Sequence, residues 1–320
     1  MKRKIVVLMP GLEKDLECSI REMADRLGFE AVICQTEEDA QRAVAEAEIL
    51  LSNVASLCAQ APKLRWMCSS NAGVEPYLRP GAFASQDVML TNSSGAYGVT
   101  IAEHIIMVTL EMMRREAEYR GIVAGHGFRR DLAIRSLYGA RVTMLGTGDI
   151  GRKTAARLRG FMPAGITGIS RSGRPVREMD RVYPVSELDW ILPETDLLIM
   201  SLPGTPETVH VLNEKRILSL PREAYLVNVG RGSAIDQRAL VKCLREGHLA
   251  GAALDVFETE PIPPEDPIWD CPRLHITPHC AGNITLTYTR RFIVEMFLRD
   301  LENYAAGRPL LAQVDRERGY

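Results

Sequence analysis

Apolar residues along this chain come in two patterns. Short unbroken runs alternate with stretches in which they recur every three or four positions. The first pattern predicts strands buried on both faces, the second amphipathic helices. In the first hundred residues the runs fall near Ile5–Met9, Glu30–Cys34, Ile49–Ser52, Leu64–Cys68 and Val88–Thr91, with helical spacing over Leu16–Leu27 and Glu37–Ala47. Such alternation predicts a parallel sheet covered by helices. A long apolar helix is expected from about Thr100 to Arg120, carrying Ile101, Ile105, Met107, Val108 and Leu110. Apolar residues on more than one side suggest burial between two units. A second series of strands starts at Val142 and continues through Gly165–Ile169, Leu197–Ser201, Tyr225–Val229, Ala252–Asp255 and His275–Thr277, and the chain turns helical again after Gly282. No repeat, low-complexity stretch or long linker interrupts the pattern, so two α/β domains joined by helices are expected.

The strand at Val142–Leu145 runs into Gly146-Thr147-Gly148-Asp149-Ile150-Gly151, with a helix predicted over Ile150–Arg159. Glycines in this spacing serve a tight turn, backbone approach to a pyrophosphate, and close packing of helix on strand. The free N–H groups and positive dipole end of the helix suit phosphate. A dinucleotide site that prefers NAD carries an acid about twenty residues further on, to bond the ribose 2′-hydroxyl. Here the next strand ends in Ser170-Arg171-Ser172, with Arg174 close behind and no carboxylate. Hydroxyls and a guanidinium suit a 2′-phosphate, so NADP(H) is expected in preference to NAD(H).

Three ionisable residues follow strands of the second series: Arg231 after Leu226–Val229, Glu260 after Leu254–Phe257, and His279 after Ile276–Pro278. Open α/β sheets bind ligands at the carboxyl ends of their strands, where a cation, a carboxylate and an imidazole make an acid–base site. Taken singly, each reads equally well as a salt-bridge former, a surface acid and a turn residue.

Composition narrows the alternatives. Lysine and arginine number 39 against 41 acids, a net charge of −2 that offers no electrostatic footprint for nucleic acid or anionic membrane. No apolar run approaches the ~20 residues of a membrane span. The basic, then apolar start at Met1–Pro10 reads as a first strand and not as a signal segment. Seven scattered cysteines without a C-x-x-C pair point to reduced thiols in a cytoplasmic protein, several of them core filler, with neither a disulfide frame nor a metal site.

Taken together, Gly146–Gly151, Leu202-Pro203-Gly204-Thr205-Pro206-Glu207-Thr208, Asn228-Val229-Gly230-Arg231-Gly232, Ala253–Glu258 through Glu260-Pro261, and Thr277-Pro278-His279 resemble the D-isomer-specific 2-hydroxyacid dehydrogenase family over nearly the whole chain. The resemblance implies two Rossmann-like domains. A doubly wound cofactor domain at residues 99–285 would be inserted into a flavodoxin-like substrate domain at 1–98, completed by 286–320. It also implies hydride transfer across the cleft between them and a homodimer. His279 would be the general acid/base. Glu260 would bond the other imidazole nitrogen, orient the ring and favour its protonated form. Arg231 would bind the carbonyl oxygen and the substrate carboxylate. Asn71, Ala72 and Gly73 resemble the loop whose backbone holds that carboxylate. Gly146, Gly148, Asp149, Ile150, Gly151, Leu202, Pro203, Val229, Gly230, Asp255 and Gly282 would line the cofactor, Asp255 at its nicotinamide end, with Ser170, Arg171 and Ser172 at the 2′-position.

The implied reaction exchanges hydride between NAD(P)H and a small 2-oxo or 2-hydroxy acid, expected in the reductive direction on a glyoxylate- or hydroxypyruvate-like substrate. Ending at Tyr320, the chain is expected to lack the regulatory domain of many phosphoglycerate dehydrogenases. Glu260 argues against the formate dehydrogenase branch, which pairs its histidine with an amide. A nucleotide-sensing protein, like the family's co-repressors, is the alternative on the same scaffold.

Overall fold

The computed structural model describes residues 2–85 and 87–316. The chain divides into two compact units: Met1–Tyr97 together with Asn283–Tyr320, and Gly98–Gly282.

The first unit holds β1 (Arg3–Leu8), α1 (Lys14–Arg26), β2 (Phe29–Cys34), α2 (Glu37–Val44), β3 (Ala47–Ser52), β4 (Trp66–Ser69) and β5 (Met89–Thr91). Its five strands are parallel in the order β2-β1-β3-β4-β5. Ile5, Val6 and Val7 of β1 are fully buried, as an apolar run in a central strand should be. Helix α2 starts where the Thr36 hydroxyl accepts the Asp39 N–H, and its first turn carries three acids that complement the helix dipole.

The second unit begins with α3 (Gly98–Arg114) and α4 (Glu116–Ala124) and continues with β6 (Arg141–Leu145), α5 (Asp149–Leu158), β7 (Gly165–Ser170), β8 (Arg181–Pro184), α6 (Leu188–Ile191), β9 (Leu197–Met200), α7 (Glu214–Ser219), β10 (Tyr225–Asn228), α8 (Gln237–Arg245), β11 (Gly251–Leu254) and β12 (Leu274–Ile276). Helix α9 (Thr287–Ala305) then returns the chain to the first unit. The seven strands of the second unit are parallel in the order β12-β11-β10-β9-β6-β7-β8. The chain winds outward from β6 to β8, then restarts at β9 on the other side of β6. That reversal opens a crevice beyond the carboxyl ends of β6 and β9, the place where doubly wound sheets take their ligands.

Two sequence expectations need correction. The helix expected over residues 100–120 is broken at Arg115, which adopts a left-handed conformation (φ 55°) and starts α4. Burial on α3 also concentrates along Ile101, Ile105, Val108 and Met112, and Met107 is 46% exposed. Strand β8 was not anticipated, because the polar sequence Arg-Val-Tyr-Pro at a sheet edge lacks an apolar run.

Candidate active site

The turn between β6 and α5 lies at the reversal of strand order. Gly146 has φ 116°, open to glycine alone, and a Cβ there would strike Ser201 at the end of β9. A Cβ on Gly151 would collide with the Gly146 carbonyl oxygen, so this glycine lets α5 pack onto the turn. Around Gly148 the situation is reversed: a Cβ would meet nothing within 4 Å. Gly148 is also the N-cap of α5 and no side chain caps it, which leaves the first N–H groups of the helix to an external acceptor. The nearby Ser201 hydroxyl is buried and has no hydrogen-bond partner among the described residues. These features fit the pyrophosphate of a dinucleotide. Asp149 contributes differently: its carboxylate is held by Lys153 at 2.9 Å and packs against Gly98 at the start of α3, so only its backbone N–H remains for a phosphate.

At the end of β7, Ser170 Oγ accepts the Gly173 N–H at 3.1 Å and shapes the loop that carries Arg171 and Ser172. The end of β7 carries no acid, and Arg171 is exposed. Across the crevice, Leu202 and Pro203 follow β9. Gly230 lies so close to Leu202 that a Cβ on it would sit 2.6 Å from the Leu202 backbone nitrogen. Val229 is buried, and its N–H bonds the Met200 carbonyl oxygen at 3.1 Å.

Glu260 and His279 pair directly, and the Arg231 turn is linked to them through backbone contacts. Asn228 folds the turn after β10, its amide donating to the Arg231 carbonyl oxygen at 2.9 Å and its oxygen accepting the Gly230 N–H at 3.1 Å. One guanidinium nitrogen of Arg231 donates to the Gly230 carbonyl oxygen at 2.8 Å. Gly232, the next residue, has room for no side chain because its Cα lies against the Phe257 backbone. The Phe257 N–H donates to Glu260 Oε1 at 2.9 Å, and Glu260 Oε2 lies 2.7 Å from His279 Nδ1. Since Nδ1 is taken, Nε2 is the nitrogen left to face a reactant. The His279 side chain is 53% exposed, enough to reach one.

His279 itself sits in a left-handed conformation, φ 49°. Asp255, 2% exposed at the end of β11, holds the turn beyond it: Oδ1 accepts the Cys280 N–H at 2.9 Å and Oδ2 the Ala281 N–H at 3.0 Å. The Thr277 hydroxyl donates to Asp255 Oδ1 at 2.6 Å and lies 3.2 Å from Nε2 of His104 on α3. Burial lowers His104 below the ordinary histidine range, against the opposing pull of Asp255 and Glu111. Burial also raises the Cys280 thiol, with Asp255 adding to the effect. Ser201 and His104 escaped the sequence reading, and Thr277 entered it only as part of the motif that ends in His279. A histidine set among the buried positions of an apolar helix was the available signal for His104. Gly282 closes the segment.

In the first unit, Asn71, Ala72 and Gly73 follow β4, also at the carboxyl end of a parallel sheet. Asn92 donates to the Ala72 carbonyl oxygen at 2.9 Å, Ser93 N–H to that of Asn71 at 3.1 Å, and Tyr97 OH to that of Ser70 at 2.7 Å. These bonds fix the loop through its carbonyls.

A family model described as D-isomer specific 2-hydroxyacid dehydrogenase, NAD binding domain, matches residues 106–281. The chain is 31% identical to the glyoxylate reductase of Thermofilum pendens over 266 residues, 80% of this chain and 76% of that protein. A D-isomer specific 2-hydroxyacid dehydrogenase family protein from Aeromonas salmonicida superposes with a TM-score of 0.88 at 31% identity, covering 99% of this chain and 100% of that one. The NADPH-dependent glyoxylate/hydroxypyruvate reductase of Sinorhizobium meliloti, solved with NADP and sulfate, superposes with a TM-score of 0.82 at 28% identity, covering 100% of both chains.

Proposed function

The chain belongs to the D-isomer specific 2-hydroxyacid dehydrogenase family, and from that premise we propose that this NAD(P)-dependent dehydrogenase reduces glyoxylate or hydroxypyruvate with NADPH. The observation that carries this reading is the His279–Glu260 pair, 2.7 Å apart, beside the Arg231 turn. The dinucleotide, when bound, supplies the hydride for the substrate's carbonyl carbon. His279 gives the proton to the carbonyl oxygen through Nε2, while Glu260 fixes the ring and offsets its charge. Arg231 binds the carbonyl oxygen and the carboxylate of the 2-oxo acid, polarising the bond before reduction. The unit Gly98–Gly282 takes the dinucleotide, with Ser170, Arg171 and Ser172 on the 2′-phosphate. The backbone of Asn71, Ala72 and Gly73 is the proposed second holder of a substrate carboxylate.

Two further points belong to this reading. Helix α4 buries none of its residues, and Val123, Phe128 and Tyr138 are 68%, 97% and 70% exposed, which suits a face covered by a second copy in a homodimer. Seven free cysteines suit a reducing cytoplasm.

The test follows absorbance at 340 nm with NADPH, then NADH, against a panel of 2-oxo acids. The proposal expects fastest oxidation of NADPH with glyoxylate or hydroxypyruvate, and a D-configured product wherever the product is chiral. A faster reaction with NADH overturns the cofactor preference. Tight NADPH binding without oxidation by any acid of the panel favours a nucleotide sensor instead.

A further inference from the structure

The proton donor proposed above stands in a strained place. A non-glycine residue at φ 49° is strained relative to ordinary backbone and persists only where its surroundings hold it. On the amino side of His279, its own N–H bonds the Thr277 carbonyl oxygen at 3.0 Å. On the other side, Asp255 grips the N–H groups of Cys280 and Ala281. Asp255 also takes the Thr277 hydroxyl at 2.6 Å. A carboxylate has no proton to give, so the proton in that short contact belongs to Thr277. The Thr277 hydroxyl has therefore spent its only donor and meets His104 Nε2, 3.2 Å away, as an acceptor. His104 must carry its proton on Nε2. Burial in α3 lowers His104 below the ordinary histidine range, against the pull of Asp255 and Glu111.

We infer that His104 is a positioning residue for the reduction: through Thr277 it completes the polar chain by which Asp255 holds the His279 turn in its left-handed conformation. His104 makes no contact with a reactant in this account. It aims the Thr277 hydroxyl at Asp255, leaving the carboxylate fixed in the orientation that meets both N–H groups. Loosening the chain allows the turn to relax towards ordinary backbone and moves Nε2 of His279 off its mark. The inference rests on His279 being the proton donor, but the state of the turn is measurable without any reaction.

The experiment pairs His104→Leu, which removes the donor, with His104→Gln, whose amide N–H can replace it. Thr277→Val breaks the same link from the other end. Loss of one neutral hydrogen bond corresponds to about a tenfold change. In His104→Leu, amide exchange in a peptide spanning Thr277–Gly282 should quicken about tenfold and kcat should fall about tenfold, with the NADPH dissociation constant unchanged. His104→Gln should restore both. Thr277→Val, which also removes the bond to Asp255, should be at least as severe as His104→Leu, and the double variant should be no worse than Thr277→Val alone, since both break one chain. Unchanged exchange in His104→Leu overturns the inference, as does failure of Gln to rescue, or cofactor affinity and melting temperature falling in step with kcat. His279→Ala serves as a separate control. Wild-type turnover in that variant defeats the reading of the proton donor, and the exchange measurement still judges the role of His104.

Discussion

The two units use similar parallel sheets, yet their polar contacts serve different ends. The first unit is assembled from two distant pieces of chain. Helix α9 returns to it, and Trp66 of β4 stacks on Phe297 at 5.3 Å and Tyr304 at 5.4 Å. Charged groups fasten the returning piece: Arg290 to Glu13, Arg291 to Asp15, Arg26 to Glu302, and the Tyr304 hydroxyl to Glu48 at 2.7 Å. The second unit is one continuous segment, with ion pairs of its own such as Arg141–Asp196, Arg159–Asp180 and Arg216–Asp189. Two of its buried polar side chains, Asn228 and Asp255, shape the turns at the ends of its strands. The contacts that fasten the returning piece thus close the first unit, while those of Asn228 and Asp255 shape the turns that carry the proposed reactive groups of the second. Changes in the second should cost rate or affinity at little cost in stability, and changes in the first should do the reverse.

The largest effect is expected at His279. His279→Ala should lower kcat for 2-oxo acid reduction by about a hundredfold to ten-thousandfold, the usual contribution of a positioned acid. The side chain is half exposed, so melting temperature and NADPH affinity should stay near wild type. A matching fall in melting temperature would put His279 among structural residues and erase the contrast. Next in size is Gly148→Val. Its side chain would enter space that no protein atom occupies, so the fold should survive while NADPH binding weakens by at least about a hundredfold through lost charge-assisted phosphate contacts. Cofactor fluorescence titration checks it, and retained affinity would make the turn merely structural.

These two sites also differ in how far they can be read from sequence. The glycine turn is local: six consecutive residues carry its geometry, and spacing alone announces it. The buried strands were equally legible, because a buried parallel strand is an apolar run, and the polar edge strand β8 was the one missed. What joins Arg231, Glu260 and His279 is not local. It passes through the Gly232–Phe257 backbone contact and a hydrogen bond from Phe257, neither of which any periodicity encodes. The resemblance to a known family named these residues, and their convergence could only be seen in three dimensions. His104 lies still further out of reach, separated from Thr277 by 173 positions. The break at Arg115 was hidden for another reason: no glycine or proline marks it, and Arg115 takes the left-handed conformation itself.

A smaller and more selective effect is expected at Arg171. Arg171→Ala should weaken NADPH by about ten- to a hundredfold, the value of a charge-assisted phosphate contact, and leave NADH nearly unaffected. Paired dissociation constants for the two cofactors decide it. Equal losses would mean that Arg171 supports the loop after β7 without touching a 2′-phosphate.

The smallest effect belongs to the first unit and tests the other side of the contrast. Glu13 precedes α1 and meets the Arg290 guanidinium at 2.6 Å, while Arg290 also donates to the Ile284 and Thr285 carbonyl oxygens. The hydrogen bonds from Arg290 lower the Glu13 carboxyl from its ordinary 4.5 to about 2. A carboxyl lowered in the folded state contributes stability that is fully present above its unfolded value. That contribution fades as pH falls from about 4.5 towards about 2. The pair is partly solvated, so Glu13→Gln should cost only about 1 kcal/mol at neutral pH. Urea unfolding followed through Trp66, which packs on α9, reads the first unit once Trp190 and Trp269 of the second are replaced by Phe in both proteins. The wild type should unfold at higher urea than Glu13→Gln at pH 7, and the gap should close as pH approaches 2, while kcat at pH 7 stays equal in the two proteins. A gap that persists in acid would show that Gln fails for reasons of shape and not of charge. A loss of kcat at unchanged stability would place this fastening with the turns of the second unit and dissolve the distinction between the two.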